Sequence, residues 1–140
     1  MASEATDLVL RFLKEVFDNK NVDAIDELID AKAVDRTPWP GYGTDRAEVK
    51  RGLSDFITAF PDLHLSVDDV ITQGNKVVIR STMSGTNTGE FMGMPPTGKR
   101  VTDIGGIDIV EVKGSKLGDH WGYVDTTSMM TQLGLLPPMG

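Results

Sequence analysis

The hydrophobic period of this chain changes at Pro61, and that change limits the folds open to it. Before Pro61, apolar residues recur at steps of three and four; after it, they alternate. Leu8, Val9, Phe12, Leu13, Val16 and Phe17 draw one helical stripe, with Arg11, Lys14 and Glu15 off it and Ser3 or Thr6 placed to cap its start. Asp18-Asn19-Lys20-Asn21 interrupts the stripe, and a short second helix from about Val22 turns Ile25, Leu28 and Ile29 inward. Thr44 is the expected cap of a third helix, in which Val49, Leu53, Phe56, Ile57 and Phe60 make the buried stripe and Pro61 marks the end.

Beyond Pro61, Leu63, Leu65 and Val67 alternate with His64, Ser66 and Asp68, which puts His64 on the polar side as a surface histidine. Gly74-Asn75 makes a tight turn into a long strand from Lys76 to Thr88. A Gly- and Pro-rich connection over residues 89–100, carrying Phe91 and Pro95-Pro96, leads to a third strand from Val101 to about Val112. Lys113-Gly114-Ser115 turns the chain into a fourth strand, 116–125. Thr126 or Thr127 then caps a short closing helix with Met129, Met130 and Leu133, stopped by Gly134, and 137–140 reads as a loose tail. Helices followed by an antiparallel meander are an α+β pattern, and Gly105, Gly106, Gly118 and Gly122 inside strands imply a sheet that bends strongly. A curled sheet closed by three N-terminal helices is a cone, and 140 residues form one such domain, 1–140.

Bulk properties exclude several function classes. A formal charge of -7, from 14 basic against 21 acidic residues, argues against a nucleic-acid partner. With no cysteine, disulfides, thiolate metal sites and cysteine nucleophiles are ruled out. Residues 1–7 lack the pattern of a signal peptide and no apolar run reaches membrane-spanning length, so a cytoplasmic protein without membrane contact is the expectation.

Chemistry concentrates on the fourth strand. Strict alternation puts Asp119, Trp121, Tyr123 and Asp125 on one face and His120, Gly122 and Val124 on the other, unless a bulge beside Gly118 or Gly122 turns His120 inward. A carboxylate beside indole and phenol rings is a general base whose proton affinity is raised by desolvation. The same pattern also fits Trp121 and Tyr123 as core and Asp125 as a helix cap. In the loop Val34 to Gly43, two prolines and two glycines forbid regular structure, and Trp39 and Tyr42 either plug the core or form a lid over a pocket. The mouth of the cone gathers this loop, the Pro-Pro loop and the end of the fourth strand, a setting for a hydrophobic or aromatic small molecule.

Three blocks of sequence carry a resemblance: Ala59-Phe60-Pro61-Asp62-Leu63-His64-Leu65, the run from Gly85 to Lys99, and Asp119-His120-Trp121 with Asp125 and Gln132-Leu133-Gly134. Together they resemble the SnoaL-like polyketide cyclase family, over nearly the whole chain. The resemblance implies an NTF2-like cone, assembled as a homodimer or homotetramer through the outer sheet face. It further implies a part in antibiotic biosynthesis, an intramolecular aldol ring closure of an aromatic polyketide ester without metal or cofactor. The base would be the acidic residue at the position matching Asp119. For an enzyme of this type, the expectation is that Asp125, Asn87 and Arg36 orient the ligand or back the residues that touch it, and that Phe91 binds substrate together with Trp39, Tyr42, Trp121 and Tyr123.

The chain departs from the family pattern at three places, having Arg36 and Asn87 where active cyclases usually carry histidine, and none near Gly105 on the third strand, where they often carry another. Arg36 would add a fixed positive charge at the mouth, and Asn87 keeps hydrogen bonding without proton exchange near neutrality. Those departures keep a second class of function open, a non-catalytic binder of hydrophobic small molecules, beside related isomerase or hydroxylase-partner activities.

Overall fold

A computed structural model describes residues 3–137; of the expected C-terminal tail, 138–140 lie outside the described residues. The first helix, α1 (Glu4–Leu13), is capped by Ser3, whose hydroxyl accepts the Thr6 N–H, while Glu4 and Asp7 in its first turn complement the helix dipole. It widens into a π-helical turn, Lys14–Asp18, and stops at Lys20, which adopts φ 57°. The Lys20 ammonium donates to the carbonyls of Phe17 and Leu63, fastening this break to the start of the sheet. A single-turn α2 (Ala24–Leu28) follows, and then α3 (Arg46–Ala59). Asp45, rather than Thr44, caps α3, accepting the Glu48 N–H.

Four antiparallel strands form one meander in the order β1 (His64–Gln73), β2 (Lys76–Thr86), β3 (Arg100–Lys113) and β4 (Lys116–Val124). A closing α4 (Thr126–Gln132) packs beside β3. Each ladder is broken once by a register shift: Val67/Asp69 on β1, Met83/Gly85 on β2 against β3, and Val110/Val112 on β3 against β4. Bulges bend a strand and increase its twist, so three in succession curl the sheet into the expected cone. Past the last strand, residues 29–37 run parallel to β4 and cover its edge, with isolated bridges Ile29–Leu117 and Asp35–His120.

The inner face holds two separate apolar clusters. Val9, Val16, Ile25, Ile29, Val77, Ile79, Val110 and Leu117 fill one end beneath α1 and α2. Phe60, Leu63, Met83, Phe91, Val101, Ile104, Met129 and Leu133 fill the other, beneath the end of α3 and α4. Between them the sheet is not covered tightly. Of the α3 stripe, Val49, Leu53, Phe56 and Ile57 are only half-buried and Ala59 is the one buried residue of the helix. That stripe faces a hollow. No helix among the described residues is long and apolar enough to cross a membrane.

Candidate active site

Which face of β4 meets the hollow is decided by its bulge. Val110 pairs with His120 and Val112 with Leu117, so two steps on β3 correspond to three on β4. The extra residue falls at Gly118–Asp119, and Gly118 is required there because a Cβ would stand 2.6 Å from the Glu111 carbonyl oxygen. Leu117 and His120 therefore both point inward. Without the bulge, alternation from Leu117 would have carried Asp119, Trp121 and Tyr123 into the interior, which is the expectation that the structure overturns.

His120 sits between two carboxylates. Its Nε2 lies 2.7 Å from Asp108 Oδ1 on β3, and its Nδ1 lies 3.3 Å from Asp35 Oδ1 on the edge segment. Burial works against the charged imidazolium, but the hydrogen bonds and charges of Asp108 and Asp35 outweigh it, and the ring is pushed up to about 9. At neutral pH the imidazolium donates from both nitrogens. Burial likewise works to raise Asp35, yet His120 and the N–H of Thr37 hold it below the usual carboxylate range. Thr37 in turn accepts the Gly122 N–H on its hydroxyl at 2.7 Å, locking the edge segment to β4. Gly122 stands opposite Asp108 in the ladder.

This trio borders a cavity of about 270 Å³ between the two apolar clusters. Its walls are mostly apolar, with Ile79, Val110 and Leu53 on one side and Phe56, Phe91 and Met92 on the other. Trp39 and Tyr42 lie across it. The Trp39 ring packs against Phe56 and Phe91, with centroids 5.9 and 5.6 Å away. The Tyr42 hydroxyl donates to Asp55 at 2.7 Å, and Arg51 stacks over its ring at 4.3 Å. Burial and the Asp55 carboxylate push the Tyr42 phenol up to about 12. Trp39 thus belongs to both readings of the loop, since it plugs one cluster and lines the cavity, whereas Tyr42 is a latch onto α3.

Of the remaining expected site residues, Phe91 and Tyr123 border the cavity and the others do not. Asp119 faces away from the cavity: its Oδ1 accepts the Val34 N–H at 3.0 Å and its Oδ2 accepts from the Arg36 guanidinium at 2.8 and 3.2 Å. Arg36, then the Val34 N–H, hold its carboxyl below the ordinary range, the opposite of what a base raised by desolvation needs. Arg36 is consequently spent on this outer pair and sends no charge into the mouth. Asp125 is the cap of α4, accepting both the N–H and the hydroxyl of Ser128. Asn87 is buried at 1% exposure, and its amide bonds the carbonyls of Ala59 and Gly89 and both donors of Thr97. It ties loops together and has nothing left for a ligand. Trp121 lies on the outer sheet face beside Lys76, and Tyr123 is 67% exposed at the rim. Phe91 is buried and forms part of the cavity wall, packed against Trp39, Phe56 and Phe60.

Two site residues escaped the reading of the sequence, Asp35 and Asp108. Asp108 did leave a signal, because Gly106, Asp108, Val110 and Val112 share a face on which it is the one charge. Asp35 left none: it lies 85 residues from His120 and arrives through edge pairing. Among the described residues no group of three His, Asp or Glu is arranged to hold a metal ion.

Fold and site define an α+β protein with a helix-capped curved sheet around an apolar hollow and a histidine between two carboxylates on its wall. The chain belongs to the SnoaL-like polyketide cyclase family, whose family model matches residues 7–133. It is similar to IdmH from Streptomyces antibioticus, a candidate polyketide cyclase, at 30% identity over 94% of this chain and 99% of that one, with a TM-score of 0.76. TsrD from Streptomyces laurentii matches at 26% identity over 95% and 96%, TM-score 0.82. AclR from Streptomyces galilaeus, a candidate hydroxylase, matches at 25% identity over 98% and 89%, TM-score 0.84. No curated protein sequence matches the chain significantly.

Proposed function

We propose that this chain is a cofactor-independent cyclase that closes a ring in an aromatic polyketide ester by an intramolecular aldol reaction, with the proton carried by Asp108. The observation behind this is the 2.7 Å contact between His120 and Asp108 on the wall of an apolar cavity. One Asp108 oxygen accepts from the imidazolium and the other accepts no hydrogen bond from the described residues. That oxygen removes the proton next to the ester carbonyl, leaving an enolate whose charge is spread over the conjugated ligand and faces the imidazolium. The enolate carbon forms the new C–C bond to a second carbonyl carbon, and the resulting alkoxide takes the proton back from Asp108. Asp35 keeps His120 charged and oriented, so it is a positioning residue. A cavity near the low end of the usual range, roughly 300–1,000 Å³, suits a small planar ligand held close to its reacting geometry.

The test follows hydrogen exchange at the enolisable carbon of an aromatic β-ketoester in D2O. Asp108→Asn should slow exchange about 10²-fold or more while the ester still binds. Exchange at the wild-type rate would remove Asp108 from the role. A non-catalytic binder is the second reading, favoured by the fact that both ring nitrogens of His120 are engaged by protein carboxylates; binding of the ester with no exchange in the wild type would establish it.

We also propose that the chain assembles as a homodimer through the outer sheet face. Ile71, Val78, Ile109 and Trp121 lie in one register row across all four strands, with Ile107 opposite Tyr123 in the next. Ile71 is 64% and Ile107 47% exposed. An apolar row of this length on a sheet face is a surface for a second copy.

A further inference from the structure

Resting on the reading of the cavity as a ligand site, we infer that Ser81 is a second polar anchor, hydrogen-bonding an oxygen of the ligand about one aromatic ring away from Asp108. Ser81 sits on the inward row of β2, where its companions Val77, Ile79 and Met83 are all apolar. It is only 6% exposed. A hydroxyl enclosed that far without a partner costs about 1–3 kcal/mol, so it ordinarily bonds a nearby backbone group. Here no described residue hydrogen-bonds it, and yet among the described residues no buried side-chain oxygen is sealed off without a partner. The Ser81 hydroxyl is therefore open to the cavity it lines.

The neighbours leave it room. Ser81 pairs with Gly106, which pairs with Val124 on β4. A Cβ at Gly106 would meet Tyr123 O at 3.4 Å and Ser81 Oγ at 3.9 Å, ordinary contact distances, so packing alone does not require glycine there. Its consequence is a dent beside the hydroxyl. Asp108 lies two residues further along the same face of β3, diagonal to Ser81, and diagonal neighbours on a sheet are about 7 Å apart. An apolar floor thus carries two polar groups at a separation that spans one or two fused rings. The ligand class this selects is a planar aromatic with an oxygen function near each end, one bonded by Ser81 and one at Asp108. Ser81 touches the part of the ligand remote from proton transfer and fixes its orientation.

Two fluorescent probes separate this idea from the cavity reading on which it rests: 6-acetyl-2-naphthol, with oxygen at both ends, and 6-ethyl-2-naphthol, which lacks the carbonyl. The wild type should bind the acetyl probe about three- to tenfold more tightly, the usual worth of one neutral hydrogen bond. Ser81→Ala should abolish that preference, keep the affinity for the ethyl probe, and leave the melting temperature unchanged or higher. Ser81→Cys, which keeps the shape and weakens the donor, should reduce the preference in the same direction. Emission of the bound acetyl probe, sensitive to hydrogen bonding at its carbonyl, should shift to the blue in both variants. A preference that persists in Ser81→Ala, or is missing from a wild type that binds both probes, overturns the role of Ser81 alone. If the wild type binds neither probe, the cavity reading falls and takes this inference with it.

Discussion

Gly122 leaves the space in which Asp108 meets His120. A Cβ at Gly122 would stand 2.6 Å from Asp108 Oδ1 and 2.8 Å from His120 Cε1, so the carboxylate and the ring occupy what would otherwise be a side chain's volume. Gly122→Ala should push the two apart. With its Asp108 hydrogen bond weakened, the His120 titration followed by NMR should move down from about 9 toward the ordinary value, and β-ketoester exchange should slow by at least tenfold. An unmoved titration would mean that the ladder absorbs the methyl group and the contact survives.

Asp119 has a structural role, and its variants should behave accordingly. Asp119→Ala removes the acceptor of the Val34 N–H and the partner of a half-exposed Arg36. The loss should be about 1 kcal/mol, chiefly from the orphaned N–H, because exposed ion pairs contribute little. Exchange per folded molecule should stay within about twofold of wild type. A loss of two orders of magnitude in rate with normal stability would restore Asp119 to the chemistry.

Stability should fall as the solution becomes alkaline. The folded-state pKa of His120, about 9, lies above its unfolded value near 6.5. Such a group contributes stability that is fully present below about pH 6.5 and disappears as the pH rises through about 9. Urea midpoints measured from pH 6 to 10 should decline across this window, and His120→Gln should flatten the decline. A midpoint independent of pH there would contradict the charged dyad.

The Tyr42 latch should set ligand kinetics. Tyr42→Phe cuts the bond to Asp55 while keeping the ring under Arg51. Stopped-flow release of 6-ethyl-2-naphthol should speed up several-fold with a melting temperature changed by no more than about 3 °C. Release at the wild-type rate would make the loop a fixed wall.

Charge placed on the outer sheet row should break the proposed dimer. Ile107→Asp puts a carboxylate opposite Tyr123 on an exposed face that plays no part in the core. Light scattering should then give the mass of one chain, against two for the wild type. Equal masses for the two proteins would refute this interface.

Much of the architecture was legible because it rests on local repetition. The α1 and α3 stripes, the two-residue turns at Gly74-Asn75 and Gly114-Ser115, and the glycines of a bent sheet are all patterns within a few residues of one another. The family resemblance is likewise carried by contiguous blocks, and the match over residues 7–133 agrees with it. The site was read less well, for one geometric reason and one topological one. One extra residue at Gly118–Asp119 reverses which side of β4 looks inward, and alternation has no means of counting a bulge beforehand. Asp35 joins the site only because residues 29–37 come to lie along the edge of β4, a pairing between distant parts of the chain with no periodic trace. Arg36 follows from Asp35: if one faces in, its neighbour faces out. Asn87 was legible as a hydrogen-bonding residue, but only its four hydrogen bonds, to Ala59, Gly89 and Thr97, show that it is fully occupied within the protein.

Two apolar clusters flank the hollow, and although Ile79, Val110 and Phe91 serve both tasks, Val16, Ile25, Val77, Phe60, Val101 and Leu133 hold the fold without lining the guest's space. Residues such as Leu53, Met92 and Ser81, which pack on the flanks but turn part of their surface to the hollow, could be exchanged over generations with smaller effects on folding than the sealed core. A scaffold divided in this way can change its ligand faster than its shape, and relatives with the same backbone need not share a substrate.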